Sequence, residues 1–234
     1  MLLASRAMSA GLPSIPERPL TKTEQVHGWL REAILTHALR PGEALNLDEL
    51  ARRHGVSPIP VREAVARLTA ERLLILRPHH GAQVAELDEN SVHDIFALLE
   101  GLESASAARV VERAGPEDVA ALEGLLSALD VAAAAGDSDG WGRANAAFHL
   151  RLAGVAQLPR VEDQLRLAFD HWDRVRRHFF REVNGLRLGE AQREHREMVQ
   201  AVARGAAGAL EHGLRAHNRT ARAFYLHALA GKAS

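Results

Sequence analysis

From Thr21 onward, apolar residues recur at helical spacing. Val26, Leu30, Ala33 and Ile34, with His37, fall on one helix face. Thr21 followed by Glu24 has the form of a capping box that opens this helix. Leu39-Arg40-Pro41-Gly42 closes it, because proline cannot continue a helix and glycine permits the turn. A short second helix has Asn46 as cap, Glu49 three residues on, and Leu47 and Leu50 turned inward, with Gly55 just past its end. A third runs from Ser57 to about Arg72 and opens with Pro58 and Pro60. Prolines are tolerated there because the first turn has no intrahelical N–H bonds to lose. With Ser57 as N-cap, its hydroxyl can satisfy the Ile59 N–H, and the Val61 N–H stays free for water or a phosphate oxygen.

Two short apolar runs, Leu73–Leu76 and Ala82–Ala85, flank a Pro/Gly turn and predict a β-hairpin. From Asp88 on, the pattern is helical throughout. Six helices are predicted, at about 89–113, 117–135, 139–154, 160–183, 188–204 and 206–230, separated by Gly115-Pro116, Gly136-Asp137, Leu158-Pro159, Asn184-Gly185 and Gly205. Short connections make them an antiparallel bundle. The fold class is therefore mainly α: an N-terminal winged helix-turn-helix and a C-terminal six-helix antiparallel bundle. The expected layout is a disordered arm over 1–19, a winged helix-turn-helix over 20–86 and a helical domain over 87–232.

Composition narrows the function classes. Aromatics are only 4% of the 234 residues, which favours helices over a β-sandwich. Cysteine is absent, which removes disulfides, thiolate metal sites and cysteine nucleophiles and fits a reducing, cytoplasmic setting. No apolar run approaches the ~20 residues of a membrane span, and the Met1–Leu20 stretch lacks a signal peptide's apolar block. The formal charge of −1 still allows DNA binding, which requires one basic face and not a basic whole.

Leu39-x-Pro41-Gly42-x-x-Leu45, Leu50-Ala51, Gly55-Val56-Ser57-x-x-Pro60-Val61-Arg62-Glu63-Ala64 and Gly81-Ala82-x-Val84 together resemble the DNA-binding domain of GntR-family regulators. Asn145-x-x-Phe148-His149, Glu194-His195-Arg196 and Arg215-Ala216-His217 resemble that family's FadR-type ligand domain, the FCD domain, and six long helices resemble its VanR-type subgroup. Four positions depart from the common pattern. Pro58 stands where many members have Arg, Arg72 where Gly is frequent at the third helix's end, Leu99 where many have an effector-binding Arg, and Asn145 where many have Asp.

In a helix-turn-helix the second helix of the pair enters the major groove with its N-terminal residues at base edges. Arg62, one turn in, can reach guanine O6 and N7. Ser57 and the Val61 N–H can hold phosphate, Ile59 can touch a thymine methyl, and Arg52, Arg53, Arg67 and Arg77 are candidate backbone contacts. Gly81 allows close approach to the minor groove, with His79 and His80 beside it. One small module reads few base pairs, so a homodimer on an inverted-repeat, double-stranded operator is expected.

Asn145 and His149 are four apart and share a helix face; His195 and His217 lie on two later helices. This spacing is no compact metal motif, but the resemblance makes the four residues the ligand set for a divalent ion such as Zn, Ni, Mn or Fe. With Leu99 unable to hold an anion, Arg143, Arg174 and Arg177 are the candidate cations for a small carboxylate effector, and Trp141 and Trp172 candidate pocket walls. Two alternatives stay open: a helical domain that only dimerises, and a metal-dependent hydrolase, against which the chain shows no HExxH pair, nucleophile elbow or phosphate-binding glycine loop. The reading is a ligand-responsive repressor of a metabolic operon, and not an enzyme.

Overall fold

A computed structural model describes residues 19–77, 81–179 and 187–232. Residues 1–18 of the expected arm, the predicted DNA contacts His79 and His80, and the last part of the helix expected over 160–183 lie outside these residues.

The N-terminal unit comprises α1 (Lys22–Leu35), β1 (Ala44–Leu45), α2 (Leu47–Arg53), α3 (Pro58–Ala70), β2 (Leu74–Arg77) and β3 (Gly81–Val84). Thr21 and Glu24 form the reciprocal capping box of α1, and the Asn46 side chain accepts the Asp48 and Glu49 N–H groups at the start of α2. The core is Val26, Leu30 and Ile34 of α1 packed on Val61, Ala64, Val65 and Leu68 of α3, with the inner side of the sheet beneath them. The strand order is β1-β3-β2, both pairings antiparallel. β1, only two residues long, carries no periodic signal and was not predictable from pattern. Gly81 adopts a φ of 84°, and a Cβ there would lie 2.3 Å from the Leu45 carbonyl oxygen, so the β1–β3 approach itself requires glycine.

Three local expectations need correction. α1 ends at Leu35, before the Pro-Gly pair: Thr36 Oγ1 turns back to donate to the Glu32 carbonyl, and His37 adopts a φ of 61°. His37 therefore lies off the predicted face, and its Nε2–H donates to the Arg174 carbonyl, 2.8 Å away. Ser57 occupies the N-cap position of α3 but makes no side-chain cap bond, so its hydroxyl does not satisfy Ile59. The third helix also stops at Ala70, because Arg72 takes a φ of 58°, the left-handed conformation usually given to glycine.

The C-terminal unit is all helix among the described residues: α4 (Glu89–Arg113), α5 (Pro116–Ala134), α6 (Ser138–Val155), α7 (Pro159–Phe179), α8 (Leu188–Ala203) and α9 (Ala207–Lys232). Prolines open α5 and α7, where their missing N–H costs nothing. A second, separate core fills the bundle, with Leu99, Leu122, Leu129, Phe148, Leu165 and Leu210 almost fully buried. The apolar stripe of α4 runs Val92, Phe96, Leu99, Ala107, Val110, and the position between Leu99 and Ala107 on that stripe is the buried carboxylate Glu103.

α7 touches both units. Phe169 and Trp172 point into the bundle, whereas Asp170, His171 and Arg174 face the N-terminal unit. Asp170 pairs with Arg31 of α1, His171 Nε2 lies 2.8 Å from the Glu71 carbonyl at the end of α3, and Arg174 donates to the Ala85 carbonyl just after β3. No helix of the described residues is long and apolar enough to cross a membrane.

Candidate metal centre and nucleic-acid interface

His149 of α6, His195 of α8 and His217 of α9 converge inside the bundle, with ring centroids 5.2, 5.1 and 4.8 Å apart pairwise. A ligand nitrogen from each lies within 4.8 Å of the others, and all three residues are buried. Asn145, one turn before His149, is buried beside them. The His195 Nε2 and the Asn145 Oδ1 have no hydrogen-bond partner among the described residues. Buried polar atoms are rarely left this way, and a metal ion is one of the standard explanations. Burial holds the His195 and His217 imidazoles well below their usual pKa range, which keeps them neutral and able to ligate. The donor set of three imidazoles and one amide oxygen thus fits a divalent transition ion.

The cavity that His149 and His217 line is small and is also lined by Phe96, Leu99, Trp141, Phe169, Trp172 and Tyr225, so the two tryptophans are wall residues. Leu99 contributes only hydrocarbon there. The structure does not bring the three predicted arginines to this cavity. Arg143 is exposed and faces Asp137, Arg174 is buried at the junction with the N-terminal unit, and Arg177 pairs with Asp173 and Asp139 at 2.7 and 2.9 Å. A charge on a helix has no direction until the packing is known, which is why sequence position misassigned them. The guanidinium that does line the cavity is Arg187, at the start of α8; its Nη2 donates to Glu194 at 2.9 Å and to the His217 carbonyl at 3.3 Å. Its Nε is buried without a hydrogen-bond partner among the described residues. Arg187 escaped the sequence reading because it lies beside the break between two predicted helices.

Two further carboxylates belong to the site. Glu103 Oε1 is 2.6 Å from His149 Nδ1, an ion-pair distance at an angle outside a regular hydrogen bond. Glu194 Oε2 is 2.7 Å from His217 Nδ1. Glu194 therefore serves the histidine of α9 and not its own neighbour, His195, as expected of adjacent residues on a helix.

On the N-terminal unit, the start of α3 is open. Ser57, Ile59, Arg62 and Arg67 are exposed, Ile59 by 67%, as are Arg52 and Arg53 of α2. The Val61 side chain is fully buried in the core, so only its backbone can meet a ligand. Arg77 of β2 is exposed and holds Gln83 Oε1 through Nε and Nη2 at 2.9 and 2.7 Å.

A helix-turn-helix with an exposed, proline-opened second helix, a β-hairpin wing and a helical domain enclosing a histidine-lined cavity defines a DNA-binding transcription regulator. Residues 22–84 match the bacterial regulatory proteins of the gntR family, and residues 94–220 match the FCD domain. The chain belongs to the GntR family and carries an FCD domain. It is 31% identical over 202 residues to an HTH-type transcriptional regulator in an unstable DNA locus of Streptomyces ambofaciens, covering 85% of this chain and 83% of that protein. It is 32% identical over 137 residues to the HTH-type transcriptional regulator McbR of Escherichia coli, covering 58% of this chain and 62% of McbR. The solved structure of E. coli McbR/YncC superimposes with a TM-score of 0.74 at 24% identity, over 89% of this chain and 99% of that one. These relatives are transcriptional regulators and not enzymes, which removes the hydrolase alternative.

Proposed function

We propose that this chain is a metal-bearing, ligand-responsive repressor that grips an inverted-repeat operator as a homodimer and releases it when a small carboxylate enters the bundle. Its setting is the cytoplasm and its target a metabolic operon, with the division of labour drawn at residues 86–87. The six-helix bundle suits the VanR-type subgroup. Asn145, His149, His195 and His217 would hold the ion. A divalent ion bound there supplies a Lewis-acidic position for an oxyanion. Arg187 adds a guanidinium at the same cavity, which suits a carboxylate, and the aromatic walls limit its size.

On DNA, Arg62 would read a base edge, with Ile59 against a thymine methyl. Ser57, the Val61 N–H, Arg52, Arg53, Arg67 and Arg77 would hold phosphates, and Gly81 and His80 would form the wing contact. A ligand can shift DNA affinity only by binding two arrangements unequally. The observation that carries the coupling is that one helix, α7, packs on the histidine cavity through Phe169 and Trp172 and bonds to the winged unit through Asp170, His171 and Arg174.

The test uses purified full-length protein. Its metal content is measured, and its operator affinity is compared after chelation, after Zn2+ reloading, and with a panel of mono- and dicarboxylates. Bound metal and a carboxylate that weakens operator binding are the expected results. Operator affinity indifferent to metal and to every carboxylate would leave only a dimerisation role for the bundle.

A further inference from the structure

All three histidines turn the same ring atom, Nδ1, to an outer oxygen. His149 Nδ1 meets Glu103 at 2.6 Å, His217 Nδ1 meets Glu194 at 2.7 Å, and His195 Nδ1 meets Gln192 Oε1 at 3.3 Å. Each outer oxygen comes from a residue that the ligand set does not include. A neutral imidazole with its proton on Nδ1, facing an oxygen, has its lone pair on Nε2. In each ring Nδ1 is thus the atom turned to an outer oxygen, which leaves Nε2 as the nitrogen available to an ion, and a ligand nitrogen of each histidine lies within 4.8 Å of the others. Gln192 is itself fixed, since its Nε2 donates to the Leu126 carbonyl and to Asp130 at 2.8 and 2.9 Å; its remaining oxygen can therefore only accept.

The outer carboxylates differ in their charge environment. Glu194 shares its Oε2 with Arg187, so its charge is already offset. Glu103 is not: its side chain is only 3% exposed, and its other oxygen accepts from the neutral amide of Asn218 at 2.7 Å. Among the described residues no arginine or lysine lies within ion-pair distance of it. A buried carboxylate with no fixed cation beside it is costly. A cation across the ring of His149 is the charge that offsets it.

We infer that Glu103, with Glu194 and Gln192, is a positioning residue of the metal centre, and that Glu103 is the anionic counter-group of the ion, acting through His149. This rests on the metal reading above. It also accounts for Asn145: the negative charge that an amide ligand does not bring sits one layer out, on α4.

The test compares Zn2+ affinity of the full-length wild type, Glu103→Gln and Glu194→Gln by competition with a chromophoric chelator. Melting temperatures of the chelated proteins and visible spectra of their Co2+ forms are recorded alongside. Glu103→Gln is expected to weaken Zn2+ binding by about 10- to 100-fold and to shift the Co2+ bands, with the chelated protein melting within a few degrees of wild type. Glu194→Gln should show a smaller loss. A purely structural Glu103 would lower the melting temperature and leave Zn2+ affinity and the Co2+ spectrum unchanged, and that result overturns the inference. Should Glu103→Gln not fold, Asn218→Ala, which frees the other Glu103 oxygen, must also weaken Zn2+ binding; unchanged affinity there is equally fatal. A wild type that binds no Zn2+ defeats the metal reading itself, a failure distinguishable from equal binding by wild type and variant.

Discussion

Phe169 and Asp170 are consecutive residues of α7, yet Phe169 stacks on the His149 imidazole at 5.3 Å while Asp170 pairs with Arg31 of α1. A helix turns about 100° per residue, so neighbours can serve different partners while moving as one body. In the proposed mechanism a displacement of α7 at the histidine cavity would therefore be passed to the winged unit. Asp170→Ala should leave Zn2+ affinity within about twofold of wild type but reduce the Zn2+- or carboxylate-dependent change in operator affinity several-fold, since such couplings are typically worth ~1–3 kcal/mol. Paired titrations of both ligands check this. Undiminished coupling would exclude the Asp170–Arg31 contact as the route.

Arg62 is exposed one turn into α3, where the helix opens toward solvent. Arg62→Ala should cost ~1–3 kcal/mol at the specific operator and far less on random DNA. Arg67→Ala should weaken both alike and flatten the salt dependence, as a phosphate contact would. Electrophoretic mobility shifts at two salt concentrations separate the two behaviours. Wild-type operator affinity in Arg62→Ala would remove α3 as the reading helix.

Asn145 brings an oxygen but no charge to the histidine cluster. Asn145→Asp adds a formal anion next to the ion and should tighten Zn2+ binding by roughly tenfold or more, an attraction of order 1 kcal/mol or above at short range. The same competition assay reads it. Equal or weaker binding would mean that residue 145 does not ligate.

Arg72 takes the left-handed backbone conformation at the end of α3, with φ 58°. That conformation costs a residue with a Cβ ~1–2 kcal/mol, and glycine's extra chain entropy returns ~0.5–1 of it. Arg72→Gly should therefore stabilise the protein by about 0.5–1 kcal/mol, visible as a small rise in melting temperature. Its ion pair with Asp94 is long, at 3.8 Å, and fully at the surface, so little is lost with it. A lower melting temperature would contradict the strain argument.

Burial lowers the pKa of His37 and of His171, both at the junction between the two units. At His37 the hydrogen bond to the Arg174 carbonyl opposes burial, while the Arg174 and Arg177 guanidiniums add to it and Asp173 opposes; at His171 the Glu71 carbonyl and Asp170 oppose it, while Arg174 and Arg31 add to it. An imidazole whose folded pKa lies below its unfolded value binds fewer protons when folded. Stability is then full above about pH 6.5 and falls as the pH drops through that value. Asp170 is shifted the other way by burial, upward, so its contribution runs opposite and at lower pH. Metal-free protein should melt progressively lower between about pH 7 and pH 5, and His171→Gln should make that decline shallower. His195 and His217 add in the same direction, so the slope should lessen and not vanish. Identical slopes in variant and wild type would place His171 outside the effect.

Much of this fold was readable from pattern. The capping residues Thr21 and Asn46, the prolines at 116 and 159 and the apolar periodicity place the helix starts within a residue or two of where they lie. The histidine cluster was readable only through resemblance, because its members are separated by tens of residues and three helices must fold together before they meet. Glu103 does carry a signal in the sequence: a carboxylate inside the otherwise apolar stripe Val92, Phe96, Leu99, Ala107, Val110 of α4 is a buried polar group in need of a partner. Arg174 was misplaced for the converse reason. It is 1% exposed, and burial lowers its pKa to about 10, but nothing in its local sequence distinguishes a junction from a pocket.

Between Val84 and Glu89 the chain passes from wing to bundle through residues 85–88 alone, and the Ala85 carbonyl in that link is already held by Arg174. So short a strap reaches no more than ~14 Å. In a two-fold assembly the reading heads would then behave like the jaws of a caliper, set by the body, and not like hooks on slack cords. Half-sites moved by half a helical turn would fall on opposite sides of the duplex, where such jaws cannot follow.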